Sequence, residues 1–219
     1  MTEPLKEFST VLTILLGWLL GLLTPGIAER IRRPYRRRDL MQAVVDEMLG
    51  LQHTMAVVAW EVRLRSANVP NAFLDKVLPI IEGYHGPDRN GDIIDQLKNW
   101  RSLPEDQRAA FERTMRQPNV GMSLVQYAIP LFAAQIADLA ICSVAFRKSV
   151  LHIRYHLDLF NQLVPYTQAI LEATFNKPSA EDLKALLTNR EQAYRDAGRR
   201  AEIIMQAIGE LQNRYNSAR

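Results

Sequence analysis

The chain has 219 residues, 47% of them hydrophobic, a formal net charge of +3 and a single cysteine. With Cys142 alone no intrachain disulfide can form, which fits a reducing compartment. The charge is local: residues 29–39 carry +4, residues 1–28 carry −1 and residues 40–219 are neutral in sum. A neutral body argues against a general nucleic-acid binder, which needs a basic face.

Residues 8–28, FSTVLTILLGWLLGLLTPGIA, hold no charge. As a helix they reach roughly 31 Å, about the thickness of a bilayer's hydrocarbon core. Backbone in lipid must satisfy its own hydrogen bonds, so such a run reads as a transmembrane helix. Pro25 falls near its end, where a kink or stop is tolerated. Residues 1–7 would form a short extracytoplasmic tail and residues 29–39 a basic linker. Arg30, Arg32, Arg33, Arg36, Arg37 and Arg38 follow the span, whereas Lys6 is the one basic residue before it. The positive-inside rule then places the N-terminus outside and residues 40–219 in the cytoplasm, under the inner (plasma) membrane. A cleaved signal peptide would carry its positive charge ahead of a shorter apolar run. The arginines also suit anionic lipid headgroups, at on the order of 1 kcal/mol each. Gly17 and Gly21 have a small-xxx-small spacing, which lets two spans approach closely and favours self-association.

The remainder reads as one all-α domain over 40–219. From Leu40 to Leu64 the apolar positions Met41, Val44, Val45, Met48, Met55, Val58 and Val62 repeat at three-and-four spacing, a helical face. This helix can run on from the span through the arginine linker, a continuity that Pro34 would interrupt. Pro70–Glu82 reads as a helix and residues 83–92 as a Gly/Pro/Asn/Asp-rich loop. Ser102-Leu103-Pro104-Glu105 has the form of a capping box that starts a helix running to about Arg116. Residues 120–146 are apolar enough to suggest a second span. Gln126, Pro130, Gln135 and Asp138 argue instead for the buried core of the bundle, since an ionisable residue in lipid costs at least ~2.5 kcal/mol.

The second half is more regular. Phe146, Val150, Ile153, Leu157, Phe160, Val164, Thr167, Leu171 and Thr174 alternate by four and three. So do Tyr194, Ala197, Ala201, Ile204, Ile208, Leu211 and Tyr215. Two such coiled-coil-like seams, joined by a turn at Asn176-Lys177-Pro178 and capped by Ser179 with Asp182, predict a long C-terminal antiparallel hairpin. Pro165 should kink its first helix.

Chemistry-bearing patterns are sparse. His152 and His156 share a helix face, but the residues between them lack the glutamate of the zinc-protease pattern and no third ligand is evident. They read as partly exposed surface residues, with no metal. Asp88, Asn90 and Asp92 alternate as at the start of a calcium loop, yet Ile93 stands where glycine is required and Asn99 where glutamate is, so this is a plain turn. Arg154 and Asp158 form an i,i+4 ion pair. No phosphate-binding glycine loop or nucleophile elbow is present, and no cofactor is implied.

Arg147-Lys148-Ser149-Val150-Leu151-His152, an arginine and a histidine separated by four residues in a helical domain, resembles the motif of HEPN ribonucleases. The resemblance covers six residues. It implies that Arg147 and His152 of two protomers meet at a dimer interface, His152 in acid/base catalysis and Arg147 on the phosphate.

The sequence therefore predicts a single-pass membrane protein whose cytoplasmic helical bundle binds a partner protein or assembles with itself, with no catalytic activity evident and nucleic acid an unlikely ligand. The alternatives are a tethered HEPN-like ribonuclease effector using Arg147 and His152, and an oligomeric membrane pore or defence effector built around Gly17 and Gly21.

Overall fold

The computed structural model describes the backbone of residues 3–66, 68–86, 91–104, 106–108, 110, 123–176 and 178–217, with the side chains of 3–14, 20 and 22–28 left undescribed. All regular structure among the described residues is helical: α1 (Glu3–Arg65), α2 (Asn71–Glu82), α3 (Gly91–Ser102), α4 (Pro130–Ala134), a 3-10 turn (Asp138–Ile141), α5 (Val144–Phe175) and α6 (Ala180–Ser217).

Three long helices make the frame. α5 and α6 form the antiparallel hairpin, and α6 packs along α1 as extensively as along α5. Paired contacts fix the direction. Tyr215 donates to Gln42 at 2.9 Å, Gln52 to the Met205 carbonyl at 2.9 Å and Arg63 to Glu202 at 2.6 Å, so α6 runs antiparallel to α1. Both predicted seams are buried, from Phe146 to Thr167 on α5 and from Tyr194 to Tyr215 on α6.

The predicted α1 face is buried too, at Val44, Val45, Met48, Met55, Val58 and Val62. Its flank is buried as well, at Leu51, Ala56, Ala59 and Trp60. The helix has neighbours on more than one side: α6 covers one, while α2 and α4 cover others and α3 lies on α2. Trp60 meets Trp100 of α3 edge-on with centroids 5.7 Å apart, and His53 stacks on Tyr84 at 4.1 Å.

Several expectations need correction. Pro34 does not interrupt α1, which runs as one helix from the apolar segment through the arginine linker into the core. Proline removes one backbone donor, and on an exposed stretch water can satisfy the carbonyl this frees. Ser102 ends α3 instead of opening a new helix: its hydroxyl donates back to the Asn99 carbonyl at 2.8 Å. Residues 106–108 and 110 are helical, and most of the expected helix to Arg116 lies outside the described residues, as do Asp88 and Asn90.

Residues 123–143 contribute to the buried core, as expected, but as a wrap on the bundle and not as one continuous helix. They form an extended stretch, short turns of helix and a loop wrapped on the bundle. Leu124, Ile129, Phe132, Leu139 and Cys142 point inward, and Val125, Ile136 and Val144 outward. Asn161 of α5 clamps this wrap, accepting from the Tyr127 amide at 3.0 Å and donating to the Tyr127 carbonyl at 2.8 Å. Pro165 leaves the Asn161 carbonyl without its usual helical donor, and the Gln126 amide supplies one at 3.4 Å while α5 continues. Glu47 of α1 accepts from the amides of Leu131 and Phe132, both at 2.8 Å, and so caps α4 from outside.

Among the described residues no helix is long and apolar enough to cross a membrane. Of the segment 8–28 the backbone is helical, and only the side chains of 15–19 and 21 are described.

Candidate functional site

The first candidate is the basic end of the bundle. Arg30, Arg32, Arg33, Arg37 and Arg38 are exposed on α1, as is Arg36, which reaches Asp138 at 2.9 Å. That pair is open to solvent and contributes at most about 1 kcal/mol. Further toward the N-terminus Leu15, Leu16, Trp18 and Leu19 are also exposed, and nothing lies within 4 Å of where a Cβ on Gly17 or Gly21 would sit. Cys142 is buried at this end of the bundle. Burial pushes its thiol pKa up, against the opposing fields of Arg37 and Arg147. A buried thiol of raised pKa is a weak nucleophile, so Cys142 acts as a packing residue.

The second is the pair singled out by the ribonuclease resemblance. Arg147 is half-buried and His152 exposed, both on α5. Five residues apart, they lie ~140° from each other around the helix. They do not converge within one chain, and a composite site would need a second copy. The structure instead brings His152 to His156, ring centroids 4.5 Å apart, and His156 to Arg200 of α6 at 3.1 Å. His156 is buried, a correction to its expected surface position. Arginine has no acceptor, so Nδ1 of His156 carries the lone pair and the ring is neutral. Burial, then His152, then Arg200 hold its pKa below the ordinary value.

The third was missed. Where the C-terminal end of α1 meets α6, a cleft of about 820 Å³ is lined by Arg63, Arg65, Arg195 and Arg199 together with Glu191 and Glu202. Arg63 is spent on Glu202, in a forked pair at 2.6 and 3.0 Å. Arg65 lies over the Tyr194 ring at 5.0 Å, with its Nε 3.7 Å from Glu191. Its Nε and one terminal nitrogen are buried without a hydrogen-bond acceptor. Arg195 and Arg199, one turn apart on α6, are exposed. The floor depends on Gly198: a Cβ there would sit 2.6 Å from Cγ1 of Val62, so only glycine lets the two helices approach this closely. The Arg195/Arg199 spacing was visible in the sequence, but on an exposed helical face it looks like ordinary solvated charge. Its partners Arg63 and Arg65 are distant along the chain.

Among the described residues no group of three or more His, Cys, Asp or Glu side chains could hold a metal ion. Comparison of the chain with protein families, with curated proteins and with solved structures gives no match.

Proposed function

We propose that this protein is a single-pass membrane-anchored protein whose helical domain mediates protein–protein interaction or self-assembly at the inner membrane face. The observation that carries this reading is α1. One helix from Glu3 to Arg65 joins an uncharged apolar segment, six exposed arginines and the buried core of the bundle. Exposed Leu15, Leu16, Trp18 and Leu19 need an apolar surrounding, and lipid supplies one. The arginines then mark the cytoplasmic boundary and hold the domain against anionic headgroups.

The far end of the bundle supports the interaction half of the reading. α5 and α6 continue past the last turn of α1, and there Phe175 and Leu183 are exposed, Phe175 by 76%. Exposed large apolar side chains at the tip of a projecting hairpin suit a protein surface. The test is the mass of the full-length protein extracted in mild detergent, with co-purifying proteins identified. A defined homo-oligomer weakened by Gly17→Leu or Gly21→Leu, or a complex lost on Phe175→Ser, is the expected result. A bare monomer under gentle extraction would refute the interaction role.

A further inference from the structure

The cleft between α1 and α6 has no part in that reading, and its chemistry is specific. Its lining carries four arginines and two glutamates, an excess of two positive charges in a chain whose body is otherwise neutral. The two glutamates are committed: Glu202 to Arg63, Glu191 to the approach of Arg65. That leaves Arg195 and Arg199, with no ion pair or hydrogen bond formed to them by described residues, on one face of α6. Arg65 closes the arrangement from α1, its guanidinium lying over Tyr194 beside Glu191. Exposed guanidinium groups that no carboxylate among the described residues engages are best matched by carboxylate and phosphate oxygens.

We infer that this cleft binds the phosphate group of a small soluble phosphate ester, held by Arg195 and Arg199, with Arg65 in the cleft wall. The charge excess matches a dianion rather than a monocarboxylate. The volume of about 820 Å³ is far larger than a phosphate, so the group arrives on an organic body. The Arg63–Glu202 pair also lines a neighbouring, less polar cleft of about 540 Å³ with Phe73, Ile80 and Met205. An apolar portion of the ligand has somewhere to go on the other side of that pair. A headgroup of the anchoring bilayer is the wrong source, because Arg65 lies about 40 Å along α1 beyond Arg38.

The experiment uses the full chain in a neutral detergent, with pyrophosphate as the probe and calorimetric titration and thermal unfolding as readouts. Saturable binding with a rise in Tm is expected. R195Q/R199Q should lose at least tenfold in affinity while its unliganded Tm stays that of wild type, since both side chains are exposed. R30Q/R33Q, in the juxtamembrane block, should bind as wild type does. Equal binding by wild type and R195Q/R199Q, or loss in R30Q/R33Q instead, would overturn the site, as would no saturable binding. Micelles doped with phosphatidate form the second arm. Wild-type affinity for them with none for pyrophosphate would overturn the soluble source.

Discussion

Gly198 and His156 show how much single residues of α5 and α6 decide. At Gly198 the neighbour of an added methyl is the β-branched, stiff Val62 side chain, whose Cγ1 would stand 2.6 Å away. Gly198→Ala should therefore destabilise by about 1–3 kcal/mol despite its better helix propensity. Val62→Ala on the same background should recover part of the loss, a coupling that a double-mutant cycle in urea would measure. Additive losses would mean that the helices do not meet there. His156 makes stability depend on pH. Its folded pKa lies below the ordinary histidine value of 6.5, with burial the first cause. As pH falls through about 6.5, the unfolded chain takes up the proton and the folded chain does not, so stability is lost on the acid side. His156→Gln keeps an acceptor for Arg200 and removes the titration. Its stability should fall less steeply than that of wild type between about pH 7 and pH 5, and equal slopes would contradict the assignment.

Among the elements, those with strong periodicity were legible and those held by side chains from elsewhere were not. The α5 and α6 seams, the Asn176 turn and the Ser179 cap follow from spacing and capping chemistry. Ser179 accepts from the Asp182 amide at 3.2 Å and donates to its carboxylate at 2.6 Å, the local exchange that the sequence implied. The burial of the wrap over 123–143 was legible from its apolar content, but hydropathy alone does not show that Asn161 and Glu47 hold it as a cover. Ser102 was misread because the same hydroxyl can serve the turn behind it as well as the turn ahead. Asn161→Ala removes both bonds to Tyr127 and should cost about 1–3 kcal/mol. Hydrogen exchange at the Tyr127 amide should accelerate at least tenfold while the α5 seam stays protected. Unchanged exchange at Tyr127 would show that Asn161 is not the clamp.

For the whole molecule, the sequence announced an apolar segment and a basic block, and Pro34 left open whether one helix carries both into the core. Its continuity follows from packing further down: α6, α2 and α4 hold α1 from Leu40 onward, and in the exposed stretch water can satisfy the carbonyl that Pro34 frees. The arginine cleft was out of reach for the same reason, since only the antiparallel register of α1 and α6 brings residues 63–65 to residues 191–202. Neutralising Arg30, Arg32, Arg33, Arg36, Arg37 and Arg38 to Gln should leave the bundle folded and scramble its orientation across the membrane. Far-ultraviolet circular dichroism together with protease accessibility in intact cells would read both effects. A single retained orientation would contradict the role given to the block.

The most direct measurement is membrane topology. L5C and S217C, each on a C142S background, are treated with a membrane-impermeant maleimide in intact and permeabilised cells, and the membranes are washed in alkaline carbonate. Labelling of L5C in intact cells, labelling of S217C after permeabilisation only, and retention of both in the washed pellet are the results expected of a single span with its bundle inside. Release of the protein by carbonate, or protection of both positions until lysis, would contradict it.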